Sequence, residues 1–83
     1  MNKLEIEEEY EGLIIADGFE DAFMGVVEQF NSEPIAVYDK QKCIDILMER
    51  DGMDWEGAME FFDYNVQGAW VGKRTPMFFT PSR

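Results

Sequence analysis

From Tyr38 onward, apolar and polar positions follow a helical beat twice and then break into short apolar runs. Lys40 to Arg50 sets Ile44, Leu47 and Met48 on one stripe; Asp54 to Val66 sets Trp55, Ala58, Met59, Phe62 and Val66 on another. Asp39 stands where an N-cap belongs, and its side chain can take up an orphan amide of the first turn. Gly52 falls where a left-handed C-cap ends the first helix, with Arg50 in the last turn to suit its negative end. Asp54 caps the second helix, and so short a connection makes the two helices antiparallel neighbours. Gly68 ends that segment, and the runs around Trp70 and Phe78 read as two short strands.

The first half is less regular. Leu13-Ile14-Ile15-Ala16 reads as a short buried strand stopped by the turn dipeptide Asp17-Gly18. Between Phe19 and Phe30 the apolar residues also fit a helical stripe, but Gly25 and the pair Val26-Val27 oppose a helix. A strand from Ala22 to Gln29, turning through Asn31-Ser32-Glu33-Pro34 into Ile35-Ala36-Val37-Tyr38, fits better as a hairpin. The expected fold is therefore α+β: a small antiparallel sheet packed on a two-helix hairpin. It forms a single domain over residues 12–83, preceded by an acidic, flexible arm over residues 1–11.

Composition supports one marginal core and narrows the chemistry. An 83-residue chain buries roughly 60–65% of its unfolded surface, and its 14% aromatic content fills that interior with few side chains. Cys43 is the lone cysteine and there is no histidine, so an intramolecular disulfide and a Cys/His zinc site within one chain are excluded. A serine–histidine or cysteine–histidine catalytic pair lacks its base. No apolar run approaches the ~20 residues that span a bilayer, and no basic-then-apolar start suggests a secretory signal. The expectation is a cytoplasmic protein with no cofactor and no membrane partner.

The net charge of −11 is unevenly spread. Ten acids and Lys3 alone fall in residues 1–33, whereas Lys73, Arg74 and Arg83 are the only charged residues after position 66. Such an acidic half repels phosphate backbones, which disfavours direct binding of DNA or RNA. It suits docking onto a basic protein surface, including one that normally holds nucleic acid. Glu7, Glu8, Glu9 and Glu11 in the arm and Glu20 and Asp21 in the following turn are the candidate acidic contacts. Tyr64 and Trp70 are candidate aromatic contacts, and Lys73 and Arg74 form a basic loop before Thr75-Pro76.

Other constellations favour plainer readings. The helical hairpin lacks the Arg, Lys, Asn and Gln of a recognition helix, since Asp54 to Val66 offers Glu56, Glu60 and Asp63. Asp17, Glu20 and Asp21 supply oxygen ligands but match no calcium-loop spacing. Cys43 flanks the inward stripe of the first helix and reads as a small buried hydrophobe.

Taken together, Tyr38-Asp39, Cys43-Ile44, Leu47, Asp51-Gly52-Met53, Ala58, Glu60-Phe61-Phe62, Asn65, Gly68-Ala69-Trp70-Val71-Gly72 and Thr75-Pro76-Met77-Phe78 resemble a family of small uncharacterised proteins of tailed bacteriophages and bacteria. The resemblance covers about half the chain and implies an origin rather than an activity. The resulting expectation is a phage-encoded, non-enzymatic accessory protein that binds a basic surface of a host or viral protein. A carboxylate-based metal-dependent hydrolase and a self-assembling structural protein are the alternatives.

Overall fold

A computed structural model describes residues 9–69 and 72–82. A 3-10 turn, Glu20–Ala22, leads into strand β1 (Phe23–Val27), followed by β2 (Ile35–Asp39), helix α1 (Lys40–Asp51), helix α2 (Trp55–Phe61), a π-helical segment (Phe62–Gln67) and strand β3 (Met77–Phe79). The class is α+β, with a three-stranded sheet in the order β1-β2-β3.

β1 and β2 form the expected antiparallel hairpin, with Phe23 opposite Tyr38, Val26 opposite Ala36 and Val27 opposite Ile35. Val26 and Val27 favour a pleated surface, and Gly25, at φ 152°, sits at a bulge no side chain tolerates easily. β3, however, runs parallel to β2, with Val37, Tyr38 and Asp39 facing Met77, Phe78 and Phe79. The sheet is thus mixed rather than antiparallel. Lys40 to Pro76 is long enough for the crossover that a parallel pair needs. The expected strand around Trp70 lies outside the described residues.

The helix boundaries follow from local chemistry. β2 passes directly into α1, where Lys42 donates its backbone N–H to Asp39 Oδ1 at 3.1 Å. Gly52 ends α1 in the left-handed region (φ 67°), where only glycine is free of steric cost. Gly57 donates its backbone N–H to Asp54 Oδ1 at 2.7 Å, capping α2. After Phe61 the helix widens: Gly68 N–H reaches back five residues to Asp63 O at 3.1 Å.

The core lies between one sheet face and the helices. Leu13, Phe19, Ala22, Ala36, Tyr38, Cys43, Ile44, Leu47, Ala58 and Phe62 are buried. Rings connect the layers: Phe23 meets Tyr38 at 5.6 Å, Tyr38 meets Phe78 at 6.0 Å, and Phe78 meets Phe62 edge-on at 4.9 Å. Offset and edge-to-face pairs of this kind add about 0.5–1.5 kcal/mol each beyond area burial.

Two expectations about packing are corrected. Leu13 to Ala16 forms no strand; instead Ala16 donates its N–H to the Tyr38 hydroxyl at 2.9 Å, so a side chain replaces the ladder. Trp55 is 54% exposed rather than inward. It opens a seven-residue helix, and helical side chains lean toward the N-terminus, which carries the indole past the rim of the core.

Candidate interaction surfaces

An acidic surface forms where the 3-10 turn meets α1. Glu20 and Asp21 on the turn and Glu49 on the helix share a shallow groove with Gly18, Ile46 and Arg50. Asp45 lies one helical turn before Glu49 and is exposed, as are Glu20, Asp21 and Glu49. The described ion pairs are Lys40–Asp63 at 3.7 Å, Arg50–Asp51 at 3.1 Å and Arg74–Glu33 at 3.6 Å. None of them involves Glu20, Asp21, Asp45 or Glu49.

Arg50 stands beside these acids but is already engaged. Its guanidinium donates to Gly18 O at 2.9 Å, chelates Asp51 and stacks 5.4 Å from the centre of the Phe19 ring. The Asp51 hydrogen bond, opposed in part by desolvation and aided by the charges of Asp51 and Glu20, raises its already high pKa. Glu20 also accepts the Gly18 amide at 3.2 Å, so it shapes the turn as well as charging it. Asp45 accepts a hydrogen bond from Gln41 Nε2 at 3.0 Å, so it too shapes its own element while keeping its charge.

The other sequence-derived contacts are dispersed. Glu7, Glu8 and Trp70 lie outside the described residues. Glu9 is exposed and, with desolvation and Glu28, raises the pKa of Tyr10. Glu11 is exposed, yet its carbonyl accepts Arg74 Nη1 at 3.2 Å, and Tyr10 packs against the core. This end of the acidic stretch therefore belongs to the folded unit. Tyr64 is 83% exposed on the π-helical segment, and Lys73 is exposed beside Asn31, Ser32 and Glu33 of the β1–β2 loop.

Arg74 departs from the expected basic contact loop. Its side chain is only 16% exposed, donates Nε to Pro34 O at 3.2 Å and Nη1 to Glu11 O, and pairs with Glu33. It pins three segments together instead of offering charge to a partner. A dipeptide Lys73-Arg74 gives no local signal of this, because every Arg74 acceptor lies at least forty positions away.

Sequence reasoning missed Asp45 and Glu49 of the acidic surface and, separately, the outer face of the sheet. Val27 and Ile35, Val37 and Met77, and finally Phe79 occupy the positions opposite to the core-facing Ala36, Tyr38 and Phe78. Met77 and Phe79 remain 50% and 45% exposed. The signal was the continuous apolar run Ile35-Ala36-Val37-Tyr38, which supplies both faces of a strand although the helices cover only one.

Cys43 is fully buried beside Ile44 and Leu47. Burial, with a smaller contribution from Asp39, pushes its thiol from 9.0 up to about 12, which removes the thiolate needed for nucleophilic work at neutral pH. Among the described residues, no group of three or more Cys, Asp or Glu side chains is placed to hold a metal ion, and no helix is long and apolar enough to cross a membrane.

The fold and surface define a small α+β protein with an acidic exterior and a half-covered mixed sheet. Compared with known proteins, the chain matches no family model, no curated protein and no solved structure.

Proposed function

We propose that the protein is a non-enzymatic interaction protein that docks through its acidic surface onto a basic surface of another protein. The observation carrying this reading is the shelf of Glu20, Asp21, Asp45 and Glu49, exposed and outside the described ion pairs. Exposed carboxylates on a turn and a helix steer a basic partner and fix its register. On the phage origin that the resemblance implies, the partner proposed is a host or viral protein and the place of action the cytoplasm of the infected cell. A groove that ordinarily holds nucleic acid is the kind of basic surface that fits, with the carboxylates taking the positions of phosphates.

The test is capture from bacterial lysate by the wild-type chain and by an Asp21→Lys/Asp45→Lys/Glu49→Lys variant. The expected result is a set of basic proteins released at high salt and missing from the variant. Retention of the same set by the variant and through high salt removes the acidic surface as the docking determinant.

A further inference from the structure

Charge can bring a partner in, but a specific geometry must then hold it. β1 is an edge strand, with β2 on one side and, among the described residues, no strand on the other. An unpaired edge presents backbone N–H and C=O groups, and native proteins guard such edges with charge, proline or brevity. The opposite edge is guarded: β3 has three residues, directly preceded by Pro76 and followed two positions on by Pro81. β1 reads Phe23-Met24-Gly25-Val26-Val27, with neither charge nor proline; its bulge between Phe23 and Gly25 breaks the ladder there and leaves Gly25 to Val27 as the regular stretch. Met24 and Val27 are 51% and 45% exposed, and a Cβ at Gly25 would meet nothing within 4 Å.

The surrounding charge selects the occupant. Asp21 lies just before β1 and Glu28 just after it, Glu20 being partly offset by Arg50. No lysine or arginine occurs between Lys3 and Lys40. A second copy added edge to edge would oppose Asp21 to Glu28 in one direction and like residues to each other in the other direction, both unfavourable. An extended segment ending in Lys or Arg meets opposite charge at both ends.

Resting on the acidic-docking reading, we propose that the edge of β1 left unpaired among the described residues takes an extended, Lys/Arg-flanked segment of the partner protein as an added strand. The backbone ladder supplies affinity, the flanking bases meet Asp21 and Glu28, and alternate side chains lie on the open sheet face beside Val27.

The probe is a short synthetic peptide of alternating valine and threonine with paired lysines at each end, titrated into the isotope-labelled full chain. The expected result is saturable movement of the Met24 to Glu28 amide signals. N-methylation of alternate peptide amides along the pairing edge should weaken binding about tenfold or more, through loss of ladder bonds with charge unchanged. Met24→Lys and Glu28→Lys should each weaken it too, and both sites are exposed enough to leave the fold intact. An N-methylated peptide that binds as tightly as the parent, or unmoved β1 amides at millimolar peptide, overturns strand addition. If lysate proteins are still captured in a salt-sensitive manner in that case, acidic docking stands and only its β1 mode falls. Paired β1 edges in a homodimer of the free chain would also overturn the proposal.

Discussion

Phe62 closes the line of rings from the helix side, nearly perpendicular to Phe78 and with the Lys40 ammonium 5.5 Å from its centre. Phe62→Ala empties a fully buried site and should cost about 3–5 kcal/mol. Trp55→Ala removes a larger side chain that is half in water, and should cost about 1 kcal/mol or less. Urea denaturation of the two variants ranks them; equal losses would falsify the assignment of faces to α2. Cys43 gives a residue-scale pH dependence. Its folded pKa is raised, so its contribution to stability is fully present below about pH 9 and is lost as pH climbs toward 12. Burial raises Tyr38 in the same direction, against the opposing hydrogen bond from Ala16. Urea midpoints should be flat from pH 7 to 8.5 and fall thereafter, with part of that slope missing in Cys43→Ala. A flat profile to pH 11 would contradict the buried thiol.

At the scale of elements, the molecule is held by caps along the chain and by arginines across it. Asp54→Ala removes the acceptor for the Gly57 amide and should lower stability by about 1 kcal/mol. Arg74 acts over longer range, tying the Glu11 and Pro34 carbonyls while pairing with Glu33. Arg74→Lys keeps the charge but loses the planar fork, and should cost about 2 kcal/mol. Hydrogen exchange should then quicken around residues 10–13 and 33–35 before it does in α1. Uniform quickening would mean that Arg74 does not pin these segments locally.

For the whole molecule, a net charge of −11 works against compactness. Raising salt from low ionic strength to about 0.15 M shortens the Debye length to about 8 Å and should raise the melting temperature. The same screening should slow association with a basic partner. Reversal at Asp21, Asp45 and Glu49 should lower kon more than it raises koff, and the wild-type chain should ignore free DNA at moderate salt. Stopped-flow measurements that placed the whole loss in koff would point instead to close packing, with Tyr64 as the exposed ring to change next.

The sequence by itself determined whatever depends on neighbours a few positions apart. The caps at Asp39 and Asp54, the left-handed stop at Gly52 and the β1–β2 hairpin were legible because their partners lie close along the chain. The inward places of Ala58, Phe62 and Cys43 were legible from periodicity. The acidity of the candidate surface was legible too, but its assembly from Asp21 on a turn and Glu49 on a helix was not. Only the tertiary structure decided the parallel course of β3, the exposure of Trp55, the partial burial of Arg74 and the open sheet face. Each of these depends on which distant segment comes to lie alongside. Periodicity specifies that a face is apolar, whereas only packing specifies whether anything covers it.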